Sequence, residues 1–336
     1  MPGRVITAVL ILACGCGGRS VPVGGDGGAE GGVPDGGRDG VITQPEAGPV
    51  DGGRDGTIVG SEHQFVIDQI DLPTSSTKAK EYAFDLDHNG TLDNQYGNIL
   101  AALASAMGSA SPQATLDTAM SQGRVIHLLA IYAASMQDGA SAGEWEFLGQ
   151  PAGGQPQPGG TFVVDTVNGP ADAYSGGSIA AGFGQFGGDT AIIVLNIPVL
   201  FGGLEGVVLH AARLEFQASA DGLTLTGRIG GALTESDVQT RVIPQQAAQM
   251  DAVVSAQCTT VSGTCVCQSG SGAETIQSMF DTDGNCHISV DEVANNNIIK
   301  AFLKGDVMLA DGSKGLSLGV GFHAVHASFA HAAPPW

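Results

Sequence analysis

From Ala212 to Ser219 the chain changes character at every residue. Val208, His210, Ala212, Leu214, Phe216 and Ala218 fall on one side, and Arg213, Glu215, Gln217 and Ser219 on the other. A period of two is the signature of a strand with one buried face. On that face His210 reads as a core histidine with its polar atoms satisfied. Asp221-Gly222 follows as a hairpin turn, and Leu223, Leu225 and Ile229 carry the return strand. A chain with this pattern is committed to antiparallel sheet. Near the C-terminus Leu316, Leu318, Val320 and Phe322 are even-numbered, whereas Val325, Ala327 and Phe329 are odd. The change of parity predicts a β-bulge near Ala324, which would bring His323 and His326 onto one polar face. Val125–Ala133 is apolar on both faces, as in a buried strand. Glu144–Leu148 puts Trp145 and Phe147 on one side, and Thr161–Val167 and Ala191–Leu200 are further β-rich runs.

Helices are fewer. Ser111-Pro112 opens one that ends before Gly123, and Thr234 caps another that Pro244 interrupts or kinks. The expected class is α+β: a β-rich single domain with long antiparallel hairpins and peripheral helices.

The first sixty residues are of another kind. Gly15 to Gly60 is dominated by glycine, with almost no large apolar residue before Val41, and Asp-Gly-Gly-Arg-Asp-Gly occurs at 35–40 and again at 51–56. Such a segment buries too little surface to offset its ordering entropy, so residues 14–60 read as a disordered, flexible tether. Ahead of it lie a short basic stretch, Met1–Arg4, and an apolar run, Val5–Ala13, too short to span a bilayer. Ile11-Leu12-Ala13-Cys14 resembles the lipobox of bacterial lipoproteins. That resemblance implies a signal peptide over 1–13, cleavage before Cys14 and acylation of its thiol. Leu12 stands where a smaller residue is commoner. Gly15 is not the aspartate associated with inner-membrane retention, so the expected location is the outer membrane or cell surface, lipid-anchored. An ordinary secretory signal would make the protein secreted or periplasmic instead.

The globular domain is expected over 61–331. A hydrophobic fraction of 43% is enough for a sizeable core. A net charge of −21, with 13 Lys and Arg together, makes nucleic acid a poor partner.

Two acidic loops, one near each end of this domain, resemble the EF-hand. In Asp281–Glu292 oxygen-bearing side chains stand at loop positions 1, 3, 5 and 9 (Asp281, Asp283, Asn285, Ser289), the His287 carbonyl at 7 and Glu292 at 12. A hard cation takes six to eight oxygens, and this spacing delivers them to Ca²⁺. Ser271 and Glu274 make a capping-box pattern ahead of the entering helix, and an exit helix runs from Asp291 toward Phe302. Cys286 holds position 6, where the turn ordinarily takes glycine; a left-handed non-glycine residue costs about 1–2 kcal/mol. The weaker copy, Asp85–Tyr96, offers Asp85, Asp87, Asn89, Thr91 and Asp93, with Gly90 at position 6, but Tyr96 occupies position 12. Another residue or water supplies the missing oxygens there, or the loop is a vestigial turn. If the β segments of the two loops pair, Leu92 and Ile288 meet, and calcium clips the start of the domain to its C-terminal region.

Cys258, Cys265, Cys267 and Cys286 form an even cluster, suggesting two disulfides in an oxidising compartment. Cys265-Val266-Cys267 is too tight to bridge internally, so Cys258 pairs with one of the two and Cys286 with the other. A zinc site is the alternative, without a companion ligand pair at suitable spacing.

Phe84–Asn94 with Asn98-Ile99-Leu100, Gly227–Leu233, Phe280–Leu303 and Gly315–Phe329 together resemble a family of uncharacterised Gram-negative bacterial lipoproteins. That resemblance runs from Tyr82 to Phe329. It implies the localisation and the calcium loops, and no reaction. The residues themselves hold no His-Glu-x-x-His, no phosphate loop and no nucleophile elbow. The expectation is therefore a lipid-anchored, calcium-stabilised protein that binds an extracellular or periplasmic partner. A carrier of an apolar ligand, or a hydrolase with a site assembled from distant residues, is the alternative.

Overall fold

Fourteen stretches of extended chain alternate with short helices in a computed structural model that describes residues 60–107, 112–150, 154–167, 173–201 and 206–332. The expected signal peptide, Cys14 and nearly all of the tether lie outside the described residues. The strands are β1 (Ser61–Asp71), β2 (His127–Ala133), β3 (Asp138–Leu148), β4 (Thr161–Val163), β5 (Tyr174–Ala180), β6 (Phe183–Gly187), β7 (Ile192–Leu195), β8 (Val207–Ala218), β9 (Thr224–Thr234), β10 (Cys258–Val261), β11 (Thr264–Cys267), β12 (Val307–Met308), β13 (Lys314–His326) and β14 (Ser328–Ala330). The helices are α1 (Ser76–Glu81), α2 (Gln95–Met107), α3 (Pro112–Ser121), α4 (Pro198–Phe201), α5 (Glu235–Asp237), α6 (Ile243–Gln257), α7 (Gly272–Phe280), α8 (Val290–Asn295) and α9 (Asn297–Phe302).

Eight of the strands close an antiparallel barrel in the order β1-β2-β3-β5-β6-β8-β9-β13, with β13 returning to β1. β7 continues the edge that β6 begins along β8. Closure removes the open edges that an antiparallel sheet would otherwise expose. The two ends of the barrel differ. One carries tight turns: Ala134–Gln137, Ala181-Gly182 and Ser219–Leu223. Ala181 and Gly182 both have positive φ, 51° and 78°, which matches the twist of a two-residue hairpin. The helical connections between β1 and β2, β7 and β8, and β9 and β13 all leave from the other end.

The interior is packed. Phe65, Ile67, Leu129, Ile131, Ile179, Leu214, Phe216, Ile229, Leu318, Val320 and Phe322 point inward with essentially no exposed surface. They share one core with Tyr96, Leu100, Leu116, Val242 and Val254 of the helices. Side chains fill the barrel, and the apolar face of the sheet forms its core.

Outside, the β2–β3 wall has its own cover. β14 pairs in parallel with β4, and Phe162 and Phe329 lie over Leu128, Ala130 and Trp145. This cover explains the parity change near the C-terminus. β13 pairs with β9 without any register shift from Gly315 to Val325. Its even residues fill the barrel, and Val325, Ala327 and Phe329 pack under the outer layer. The expected bulge is therefore not in β13 but across from it, at Asp68 of β1, between the pairs Ile67–Ala324 and Gln69–His323. With β13 regular, His323 and His326 fall on opposite faces.

β8 also departs from its expected face. Ala211 has φ 50°, and the ladder to β9 slips between His210 and Arg213. Val207 and Leu209 therefore point inward below the slip, as Ala212, Leu214 and Phe216 do above it. His210 lies half-buried on the outer side rather than in the core. Thr234 does cap α5, its hydroxyl accepting the Asp237 N–H. A π-turn over Val238–Val242 precedes Pro244 near the start of α6, because proline has no N–H to continue an α-helical ladder. Among the described residues, no helix is long and apolar enough to cross a membrane.

Candidate metal centres

Both acidic loops adopt the same local structure. In the first, Asp85 Oδ1 and Asp87 Oδ1 accept the Asn89 N–H at 3.1 and 3.3 Å, Asp85 Oδ2 accepts the Gly90 N–H at 3.0 Å, and Asn89 Oδ1 accepts the Thr91 N–H at 2.8 Å. In the second, Asp281 Oδ1 and Asp283 Oδ1 accept the Asn285 N–H at 3.0 and 3.1 Å, Asp281 Oδ2 accepts the Cys286 N–H at 3.1 Å, and Asn285 Oδ1 accepts the His287 N–H at 2.6 Å. The left-handed residues correspond as well. They are His88 (φ 56°) and Gly90 (φ 82°) in one loop, Gly284 (φ 71°) and Cys286 (φ 65°) in the other. Short side chains that accept backbone N–H groups two to five residues on are what fold such a turn.

Each loop gathers three carboxylates. Oxygens of Asp85, Asp87 and Asp93 lie within 4.8 Å of one another, as do those of Asp281, Asp283 and Glu292. The third member differs. Glu292 Oε1 accepts the Thr282 N–H at 2.7 Å, whereas in the first loop Asp93 Oδ2 accepts the equivalent Leu86 N–H at 2.9 Å. Asp93 thus takes the place that position 12 leaves open, while Tyr96 is buried in the core. Burial, opposed by the Leu86 N–H and reinforced by Asp87, Asp306 and Asp85, pushes the Asp93 carboxyl up to about 6. At Glu292 partial burial acts upward, but hydrogen bonds from Ser289 and Thr282 outweigh it and hold the carboxyl below its ordinary value.

The remaining expected ligands are placed as follows. Ser289 is the N-cap of α8: its hydroxyl accepts the Glu292 N–H and donates to Glu292 Oε2. The imidazole of His287 turns outward to Asp251 Oδ1 at 3.1 Å. Asn285 donates to Asp283 Oδ2 at 2.8 Å. Thr91 and Asn89 are exposed.

The barrel and its helices position these loops. Arg228 of β9 donates to the Glu81 and Ala83 carbonyls, pairs with Glu215 at 2.6 Å and lies over the Phe84 ring. Phe84 fits against Gly230, where a Cβ would strike the ring. On the far side of the first loop, Asn94 Nδ2 donates to the Ala79 and Gly319 carbonyls, and Oδ1 accepts the Gly97 and Gly319 N–H groups. The second loop is held by two disulfides, Cys258–Cys267 and Cys265–Cys286, one of the pairings the spacing allows. All four sulfurs are used, which removes the zinc alternative. Cys286 is tied down at the left-handed position where glycine is usual. Ser271 caps α7, accepting the Glu274 N–H, while Glu274 itself takes the Gly270 N–H. The exit helix breaks at Asn296 into α8 and α9, and the Asn296 amide donates to the Met279 carbonyl.

The loops do not pair. Asp93 exchanges backbone hydrogen bonds with Phe84, and Leu92 is 58% exposed. Ile288 is buried at 4%, its N–H donating to Asp251 Oδ1 of α6. The expected clip between Leu92 and Ile288 is thus absent, because each loop finds its partner in a nearer element.

Two other polar arrangements went unseen in the sequence. His323 Nδ1 and Asp68 Oδ1 are 2.7 Å apart beside an open cleft of about 680 Å³, lined by Asp68, Asp71, Lys78, Tyr82, Gln113 and Asp117. Within the barrel, Glu144 and Glu146 are buried at 0% and 5% exposure. The sequence pattern places Trp145 and Phe147 on one side and leaves the covering of the other side open. The signal for its burial was the neighbouring run Val125–Ala133, apolar on both faces, whose sheet neighbour must also be covered on both sides. No protein-family model, curated protein or solved structure matches the chain.

Proposed function

We propose that this protein is a lipid-anchored component of the outer membrane or cell surface whose barrel domain binds Ca²⁺ through two EF-hand-like loops and engages a partner outside the cell. The observation that carries the reading is the shared design of the two loops. The same scheme of side chain to backbone bonds and the same two left-handed positions recur 196 residues apart, counted from Asp85 to Asp281. Each ends in three converging carboxylates. Three carboxylates at such range repel one another unless a cation or protons intervene, and oxygen-only ligand sets suit Ca²⁺. Asp281, Asp283, Asn285, the His287 carbonyl and Glu292 would hold one ion. Asp85, Asp87, Asn89, the Thr91 carbonyl and Asp93 would hold the other. Ser289 acts through water or through the helix cap.

The role of the ion on this reading is to fix the helices of the plugged barrel end. The two disulfides of the second loop fit an oxidising compartment outside the cytoplasm. Calorimetric titration and thermal unfolding of the fragment beginning at Ser61, with Ca²⁺ and with chelator, test the proposal. Binding with a rise in unfolding temperature is expected, at about 10⁻⁴–10⁻³ M as in extracellular modules. No heat of binding and no stabilisation at millimolar Ca²⁺ would remove the calcium reading.

A further inference from the structure

The least comfortable groups in this molecule are Glu144 and Glu146. Both stand on the inward face of β3, two residues apart, on the side that Ala142 and Leu148 also occupy. Glu144 Oε2 accepts the Ser175 hydroxyl of β5 at 2.9 Å, and Glu146 Oε2 accepts the Val194 N–H of β7 at 3.2 Å. Glu144 Oε1 has no hydrogen-bond partner and no accessible surface. An oxygen without accessible surface has no water-sized void beside it, so neither an ordered water nor a hydrated cation can satisfy it.

Among the described residues, no cation acts on either carboxylate. β2 presents Leu129 and Ile131 opposite the pair, with His127 below them. Burial pushes the His127 imidazole down to about 4, keeping it neutral, and its Nε2 sits 3.1 Å from the Asn196 carbonyl. β5 offers Ser175, and β7 offers backbone only. Arg241, on the π-turn, donates to the Gly206 carbonyl at 2.9 Å. Two ionised carboxylates here would be a double charge sealed in apolar protein, which burial strongly disfavours.

We propose that Glu144 and Glu146 are a proton-holding pair built into the barrel wall, neutral at physiological pH, whose ionisation in alkaline solution loosens the wall formed by β3, β5 and β7. Burial, and for Glu146 also the proximity of Glu144, raises both carboxyls, Glu144 to about 8. The folded state then holds protons that the unfolded chain releases near the ordinary value of 4.5. The stabilisation is therefore complete below that value and is lost as pH rises toward about 8.

The test uses the full chain with its disulfides intact. Denaturant unfolding is measured from pH 5 to 10 for the native protein, Glu144→Gln and Glu146→Gln, together with ¹³C-carboxyl titration of the native protein. Between pH 5 and 8 each retained proton raises the unfolding constant roughly tenfold per pH unit, and each glutamine variant should remove about one such factor from the slope. Trp145 fluorescence should change over the same alkaline range, since Trp145 lies between the two glutamates in the strand and its indole packs on the outer face of the same wall. Parallel pH profiles for native protein and variants would overturn the proposal. If the variants fail to fold, the native titration decides. Two glutamate carboxyls titrating above pH 7 uphold it, and all glutamates titrating at ordinary values overturn it.

Discussion

Asn94 is the residue on which the first loop's attachment to the barrel depends. β13 pairs with β9 along its whole length, but on its other edge β1 covers only Gly321–His326 and β12 only Lys314-Gly315. The amide of Asn94 fills the gap, taking both the N–H and the carbonyl of Gly319 at 2.8 and 3.0 Å, as a neighbouring strand would. The same side chain caps α2 through the Gly97 N–H and takes the Ala79 carbonyl at 2.9 Å. Asn94 is 4% exposed, so water cannot replace it. At about 1 kcal/mol net for each of the four bonds, Asn94→Ala should cost about 4 kcal/mol. That is a large part of the total stability of an ordinary domain. Urea unfolding followed by far-UV circular dichroism should show the midpoint falling with an unchanged slope. Asn94→Asp keeps the acceptor but turns a carboxylate oxygen toward two carbonyls. It should be no better than alanine at pH 7 and should recover at pH 4 relative to the alanine variant. A loss below about 1 kcal/mol for Asn94→Ala, or an aspartate variant indifferent to pH, would refute the reasoning.

Glu292→Gln should weaken Ca²⁺ binding at the second loop far more than Ser289→Ala, whose main effect is loss of a helix cap worth about 1 kcal/mol; equal effects in calorimetry would mean the ion is held otherwise. Replacing the Cys265–Cys286 bridge tests the strained turn: Cys265→Ser with Cys286→Gly should be more stable than Cys265→Ser with Cys286→Ser by about 1 kcal/mol, because glycine accepts positive φ freely. Equal thermal midpoints for the two pairs would show that position 286 is not under strain. Cys14→Ser should release the protein from membranes into the soluble fraction, and unchanged partition would remove the lipid anchor.

Features that depend on bonds within about a dozen residues were legible from the sequence alone. The acidic loops fold through side chains that reach backbone groups two to five residues away, so their spacing is their structure. The Asp221-Gly222 turn and the caps at Ser271 and Thr234 are local in the same sense. Cysteine spacing alone narrowed the disulfides to two pairings, and the hairpin of β10 and β11, by setting Cys258 opposite Cys267, chose between them.

Tertiary structure decided whatever depends on what covers a surface. Alternation says that two faces differ, not which is inside or whether the outer one is also buried. Val325 and Phe329 looked like a bulge because β4 and β14 cover the outer wall, and the burial of Glu144 and Glu146 stayed hidden because nothing local reveals that β3 closes a barrel. The closure itself, Phe65 against His326, joins residues 261 positions apart, and no short-range pattern encodes it. Asp93 filling the role of the missing position 12 is of the same kind: its side chain turns back to Leu86 because Phe84, held by Arg228 and Gly230, pairs with its backbone. Local hydrogen-bonding chemistry fixed the turns, and burial of the inner face by closure of the barrel and of the outer β2–β3 wall by β4 and β14 fixed the rest.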